Sequence, residues 1–270
     1  MYETYWGLQV KPFENTPDPS FFYYSAHHEE ALLLLNYGIT QGKGGIILTG
    51  DYGTGKTLLS QVLTKILEPT KYKTVLLTNP RLTSLEFLQE IARQFSEAES
   101  LPATKSEILN SISAALRKNF YDKLISVIVI DEAQAIDDIK VLDEIRLLLN
   151  FQLEDRFLVN IVFLGQPELK KKINEIPQLK QRLGIRCHLY PLNEDESRAY
   201  IMHRLKVARG DDSEIDIFTE EALKLIWKYS NGLPREINNI CDMCLLLGYD
   251  RQVTNVGFDI VNEVCLKFVW

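Results

Sequence analysis

The sequence predicts an α/β core with a mainly parallel sheet, followed by a small all-helical domain. Short β-branched runs alternate with helical spacing from about residue 26 to residue 190, and this alternation is typical of a parallel sheet covered by helices on both faces. Beyond Pro191 only helical patterns remain. At 270 residues, with 46% hydrophobic and 25% charged residues, the chain is long enough for both parts.

The expected elements follow in chain order. The aromatic, proline-rich residues 1–25 predict an ordered strap lying on a domain, because a disordered tail would carry fewer rings. The core patterns are strands at 44–50, 73–79, 124–130, 157–165 and 186–192 and helices at 27–41, 56–67, 84–95, 105–120 and 139–151, with a polar link near Pro102. The later helical patterns are 193–208, 219–230, 234–250 and 255–269. We therefore expect a strap at 1–25, a core at 26–190 and a helical domain at 191–270.

Two later helices also carry capping signals. Asn193 stands three residues before Glu196, and Thr219 is followed directly by acidic residues. Both arrangements are typical of helix N-termini, since a side-chain oxygen can accept a free backbone N–H there. The all-helical reading of this region therefore rests on more than its apolar spacing.

Composition limits the cellular context. The formal net charge of -7 gives the whole chain no basic field that would draw it to nucleic acid or anionic lipid. Four cysteines show no dense secreted pattern, and the C-x-x-C of Cys241 and Cys244 lies in an apolar helical run, where core packing is expected. The N-terminus lacks a signal peptide, and the apolar runs are far below the roughly 18 residues that span a bilayer. We therefore expect a cytoplasmic protein without membrane insertion.

The motif "GDYGTGKT" predicts a phosphate-binding loop. It matches G-x-x-x-x-G-K-[ST], the Walker A pattern, and stands between a predicted strand and a predicted helix. The glycines let successive backbone N–H groups point at phosphates, Lys56 would meet the β- and γ-phosphates, and Thr57 would ligate Mg²⁺. The expected cofactors are ATP and Mg²⁺. The expected nucleotide-binding residues are Gly50, Asp51, Tyr52, Gly53, Thr54, Gly55, Lys56, Thr57 and Leu58.

The stretch "VIVIDEAQ" predicts the Walker B strand. Asp131 follows four apolar residues and is the expected second Mg²⁺ ligand, and Glu132 is the candidate general base for the attacking water. Ala133 and Gln134 add little to this assignment. The last four letters are similar to a helicase box, but helicases of that type carry two similar cores. Only one phosphate loop and one α/β unit are found here, so the helicase reading is disfavoured.

One ATPase core followed by a helical lid resembles the AAA+ architecture, and further motifs fit that resemblance. It implies a sensor 1 role for Gln166 in "IVFLGQPEL" and a sensor 2 role for Arg235 in "GLPREINNI". It also implies that Arg182 or Arg186, in "LKQRLGIRCHLYPL", is an arginine finger offered to a neighbouring subunit, which leaves the choice between them open. The resemblance thus implies a homo-oligomer.

The strap "YWGLQVKPFENTPDPSFFYYSAHHEEALLLLNYGI" resembles the opening of the ExeA family, also called general secretion pathway protein A. The likeness continues through the motifs above to "GLPREINNICD". It implies an ATPase motor or assembly factor for type II secretion, pilus or exopolysaccharide export, in the cytoplasm or held at the inner membrane by a protein partner. The sequence resembles a short form, without the transmembrane helix and peptidoglycan-binding part of longer members.

Other readings stay open at this stage. Related domains regulate transposition, so an ATP-switched, DNA-bound regulator such as a transposition target selector or replication initiator is the alternative function. A nucleotide-binding module without turnover is another. Two features are expected to be structural. His27 and His28 form a polar pair at a helix start, although the resemblance implies that this segment can lie near adenine in AAA+ proteins, and Lys170–Lys172 form a solvated helix face. The final "CLKFVW" could be lid core or a docking patch.

Overall fold

The computed structural model describes residues 1–96, 104–153, 155–211 and 216–268, with the backbone alone at residue 268. These residues form two compact units. The helical unit comprises Met1–His28, Gly53–Leu58 and the chain from Tyr190 onward, and the sheet unit comprises Glu29–Tyr52 and Leu59–Leu189. The predicted link near Pro102 and the last two residues of "CLKFVW" lie outside the described residues.

The sheet unit contains five parallel strands in the order β2-β3-β6-β1-β7. Strands β1, β3 and β6 are almost entirely buried, as expected for a parallel sheet covered on both faces. The strands are β1 (Gly45–Gly50), β2 (Tyr72–Leu77), β3 (Ile125–Ile130), β4 (Gln152–Leu153), β5 (Arg156–Phe157), β6 (Val159–Gly165) and β7 (Leu183–Leu189), of which β4 and β5 form a separate hairpin. The predicted mainly parallel α/β core is confirmed.

Helices connect the strands and cover the sheet. They are α1 (Ala26–Thr40), α2 (Lys56–Ile66), α3 (Ser84–Ser96), α4 (Lys105–Tyr121), α5 (Ile139–Leu148), α6 (Glu168–Asn174) and α7 (Pro177–Gln181). Apolar residues spaced at three and four positions bury one stripe of α3 and of α5, for example Phe87 and Ile91 on α3. These stripes and the sheet residues form one apolar core.

The C-terminal part is helical in the described residues, as predicted. It contains α8 (Glu194–Arg209), α9 (Glu220–Ser230), α10 (Pro234–Asp250) and α11 (Phe258–Phe268). Asn193 and Glu196 form the expected capping box at α8, and the Thr219 side chain accepts the Ala222 N–H at α9. None of the helices that the structure describes combines the length and apolar character needed to cross a membrane.

The N-terminal strap is ordered and packs on these helices. Trp6 and Phe13 are buried in the same apolar cluster as α8–α11, and the Trp6 indole donates to the Leu245 carbonyl at 3.0 Å. Gln9 N–H donates to the Ala208 carbonyl at 2.8 Å, which ties the strap backbone to the end of α8.

Several predicted boundaries are wrong. The last strand is Leu183–Leu189 rather than 186–192, because Leu192 leaves the sheet and donates its N–H to the Gly232 carbonyl at 2.8 Å. The predicted helix at 139–151 ends at Leu148, and the hairpin of β4 and β5 follows it. Helices α6 and α7 were not predicted, since each is too short to show a full apolar period.

Candidate active site

The phosphate loop joins β1 to α2. Gly53 and Gly55 have φ values of 84° and 92°, a backbone region that favours glycine. The loop ends at Lys56, the first residue of α2, whose side chain is buried, as is that of Thr54. Backbone N–H groups at such a turn and at the start of a helix attract anions. The local conformation therefore fits the polyphosphate of a nucleotide.

Within the helical unit, this loop lies against the first turn of α10. The Arg235 N–H donates to the Gly53 carbonyl at 3.3 Å, and a Cβ added to Gly53 would lie 3.1 Å from the Arg235 Cβ. A preceding turn sets the start of the helix, with Asn231 and Gly232 both at positive φ. The structure thus brings the candidate sensor 2 arginine to the backbone of the phosphate loop.

His28 holds the loop from the other side, which the sequence reading of a polar pair at a helix start missed. Its Nε2 lies 3.1 Å from the Thr54 carbonyl oxygen, and its Nδ1 lies 2.7 Å from the Ser25 hydroxyl. A carbonyl can only accept, so Nε2 carries the proton and Nδ1 accepts from Ser25. Burial lowers the pKa of His28 below its ordinary value of 6.5, and this favours the neutral ring.

This histidine predicts a pH dependence of stability. Burial dominates the lowered pKa, the Thr54 carbonyl and Glu196 partly oppose it, and His27 adds to it. Below pH 6.5 the unfolded state therefore binds more protons than the folded state, so the free energy of unfolding falls as the pH drops. His28→Gln can still donate to Thr54 but does not titrate. Urea unfolding from about pH 7.5 to pH 5 is expected to show a shallower fall for His28→Gln.

The comparison of His28→Gln with the wild type cancels the contribution of the other titrating groups to the pH dependence. His203, whose pKa burial also lowers, is present in both proteins and cancels in the difference. Equal pH slopes for His28→Gln and the wild type would show that His28 does not supply the pH dependence.

The Walker B residues follow β3 in the sheet unit. Asp131 is buried, and its Oδ1 accepts the Glu132 N–H at 2.9 Å. Glu132 is half-buried with φ 51° and ψ 36°, the left-handed region that non-glycine residues adopt uncommonly. The two adjacent acids therefore differ in exposure, with Asp131 buried and Glu132 half-buried.

Gln166 follows β6, which lies between β1 and β3 in the sheet. Because the strands are parallel, Gly50, Gln166 and Asp131 stand at the same edge, at the carboxyl ends of three neighbouring strands. Ligands of open α/β sheets bind beyond this edge. The Gln166 N–H donates to the Gln134 Oε1 at 3.0 Å.

The two candidate finger arginines differ in their surroundings. Arg182 is half-buried, and its Nη1 donates to the Leu149 carbonyl at 3.0 Å. Arg186 is exposed on β7, an edge strand, and its Nη2 donates to the Lys180 carbonyl at 2.9 Å. Arg182 is therefore the more strongly held by its own chain.

Two further residues near Glu132 were assigned no role by sequence. The Gln134 Nε2 donates to the Glu132 carboxylate, a contact that the sequence did not predict. Lys172 was expected on a solvated helix face, but its Nζ donates to the Gln134 and Ile136 carbonyls at 2.7 and 2.6 Å. No local pattern marks the contacts of Gln134 with Gln166 and Lys172, because these partners lie more than 30 residues away in the sequence.

The cysteines of the helical unit pack in its core. Cys241 and Cys244 are fully buried, and burial raises the pKa of both thiols. Burial also raises the pKa of Cys265 to about 11. Thiols held in this protonated form are poor nucleophiles and metal ligands.

A parallel sheet whose first strand leads through a glycine loop into a helix, with a helical part at the C-terminal side, defines the class of P-loop nucleoside triphosphatases. The chain belongs to the AAA domain family, whose sequence profile matches residues 39–173. General secretion pathway protein A of Aeromonas hydrophila is 37% identical over 257 residues, which cover 93% of this chain and 45% of that protein. The chain thus spans less than half the length of this relative.

Solved structures show the same fold at low sequence identity. The ORC2 protein of Aeropyrum pernix, in ADPNP-ADP complexes, has a TM-score of 0.70 and 17% identity, and the match covers 96% of this chain and 72% of that one. The ORC1 protein of the same organism, in complex with DNA, has a TM-score of 0.71 and 17% identity, covering 97% and 70%. The AAA+ architecture predicted from the motifs is therefore confirmed.

Proposed function

We propose that this chain binds and hydrolyses ATP. The phosphate loop carries the proposal, since Gly53 and Gly55 take the backbone angles of an anion-binding turn directly before the buried Lys56. The buried carboxylate of Asp131 follows β3 in the same parallel sheet and is itself followed by Glu132. This pair of acids supports hydrolysis as well as binding. A binding module without turnover would not need the second acid.

Each site residue has a role in this proposal. Lys56 neutralises phosphate charge, Glu132 accepts a proton from water, and Gln166 and Arg235 respond to the γ-phosphate. The nucleotide is held by residues 50–58 together with Arg235. Bound Mg²⁺ supplies charge neutralisation, and its protein ligands are Thr57 and Asp131.

The donor set suits Mg²⁺. This ion usually takes only one or two protein oxygens and completes its shell with phosphate oxygens and water. One hydroxyl and one buried carboxylate match that need. Within the described residues no group of three or more His, Cys, Asp or Glu side chains could hold a metal without a nucleotide.

We further propose that the ATPase drives or assembles an envelope secretion, pilus or exopolysaccharide export system from the cytoplasm, reaching the inner membrane through a protein partner. The identity with general secretion pathway protein A, spread over 93% of this chain, supports this role. The formal net charge of -7 disfavours the alternative of a DNA-bound regulator.

A homo-oligomer completes the proposal. An arginine that acts on a neighbour's nucleotide must be free to leave its own chain, and the exposed Arg186 meets that condition better than Arg182, which Leu149 holds. We therefore assign the finger to Arg186. Such a finger contributes on the order of 10³-fold in rate.

The experiment is the ATPase rate per protein molecule, measured over a range of protein concentrations with and without duplex DNA at two salt concentrations. The wild-type rate is expected to rise with concentration as subunits associate, and to be insensitive to DNA. Arg186→Ala is expected to stay slow at every concentration, while Arg182→Ala keeps the concentration dependence. DNA stimulation that falls steeply with salt would instead support the DNA-bound regulator.

A further inference from the structure

The Gln134 side chain links Glu132, the candidate general base, to Gln166, the residue that follows β6. Its Nε2 donates to the Glu132 carboxylate, and its Oε1 accepts the Gln166 N–H at 3.0 Å. The orientation of the amide follows from its partners, because a backbone N–H can only donate and an ionised carboxylate can only accept. One side chain therefore connects the residue after Asp131 with the residue after β6.

The surroundings hold Gln134 in place. A Cβ added to Gly165 would lie 2.8 Å from the Gln134 Oε1, so the amide comes closer to β6 than most residues at position 165 would allow. The Gln134 carbonyl accepts from the Lys172 Nζ at 2.7 Å. Its backbone is fixed by α6 and its side chain by β6, and both elements belong to the sheet unit.

Glu132 depends on such a partner. Glu132 lies in the turn that follows β3, at φ 51°, and is only half-buried. A half-buried carboxylate without a hydrogen-bond donor would exchange among rotamers. A general base has to lie within hydrogen-bond reach of the water it activates, so its orientation sets the rate.

We propose that Gln134 is a positioning residue that orients the Glu132 carboxylate for hydrolysis and links it to Gln166. The proposal rests on the proposed function, in which Glu132 is the base. A displacement of the Gln166 backbone moves the Gln134 amide, and the amide moves the carboxylate that it holds. The response of Gln166 to the γ-phosphate is thereby coupled to the alignment of the Glu132 carboxylate.

Two substitutions of similar length test this role. Gln134→Met removes both hydrogen bonds and is expected to lower kcat on the order of 10²-fold, with unchanged affinity for a non-hydrolysable ATP analogue. Gln134→Glu still accepts from the Gln166 N–H but places a second carboxylate against Glu132. It is expected to be at least as slow as Gln134→Met because the two carboxylates repel each other, again with unchanged affinity for the analogue.

Controls separate this proposal from the proposed ATPase activity. Gln178→Glu makes the same charge change on the exposed surface of α7 and is expected to keep the wild-type kcat. If Glu132→Gln hydrolyses ATP at the wild-type rate, Glu132 is not the base and the mechanism in the proposed function fails. If Glu132→Gln is slow while both Gln134 variants keep the wild-type kcat, the positioning role is overturned.

Both Gln134 variants are also checked for ATP affinity and for the far-UV circular dichroism signal of the wild type. A loss of either quantity in both variants would overturn the positioning role, since it would show that the residue only supports the fold. If Gln134→Met alone unfolds, Gln134→Glu decides, because it retains the bond to Gln166.

Discussion

Glu132→Gln is expected to remove most ATP hydrolysis while leaving ATP binding intact. The amide has the shape of the carboxylate and can still accept from the Gln134 Nε2, so the turn after β3 should be kept. It cannot take a proton from water, and general base catalysis contributes roughly 10²- to 10⁴-fold in rate. Phosphate release measures hydrolysis, and titration with a non-hydrolysable analogue measures binding.

Lys56→Ala is the comparison that separates binding from chemistry. Lys56 is buried at the first position of α2, so its removal takes a positive charge from the phosphate loop and is expected to weaken both binding and hydrolysis. A Glu132→Gln protein that turns over ATP as fast as the wild type would exclude Glu132 as the base.

Local sequence patterns predicted the sheet and its helices because buried positions in strands and helices carry apolar residues at regular spacing. The almost entirely buried runs of β1, β3 and β6 are recognisable without knowledge of their partners. The start of β7 is different, because Gly184 weakens the apolar pattern and pairing with β1 extends the strand back to Leu183. Strand ends that depend on a neighbour cannot be found from local sequence.

The same distinction applies to the candidate site. Residues 50–57 are consecutive because a single loop has to wrap a phosphate, and this makes the motif visible in the sequence. His28 and Thr54 are 26 residues apart, and Gln134 and Gln166 are 32 apart. These contacts come from folding, so a histidine at a helix start and a glutamine after an acid could be assigned no role from their types alone.

Arg204→Met is expected to lower the free energy of unfolding by about 2 to 4 kcal/mol, since each buried acceptor left unpaired costs about 1 to 3 kcal/mol. Arg204 is buried on α8, and its guanidinium donates to the Pro12 and Glu14 carbonyls at 2.5 and 3.0 Å and to the Tyr200 hydroxyl at 2.8 Å. It also lies over the Phe21 ring at 4.9 Å. Methionine keeps much of the apolar stem but supplies no donor, so the Pro12 and Glu14 carbonyls of the strap lose their hydrogen bonds to α8.

Arg198→Met on the same helix is the matched control. Arg198 pairs with Glu220 at 2.7 Å, but both side chains are more than half exposed, and such surface pairs contribute at most about 1 kcal/mol. Urea unfolding followed by tryptophan fluorescence compares the two, with the strap residue Trp6 among the reporters. Equal losses in both variants would mean that the strap is held by its buried aromatic rings rather than by Arg204. A much larger loss for Arg204→Met would show that this arginine fastens the strap to α8 within the helical unit.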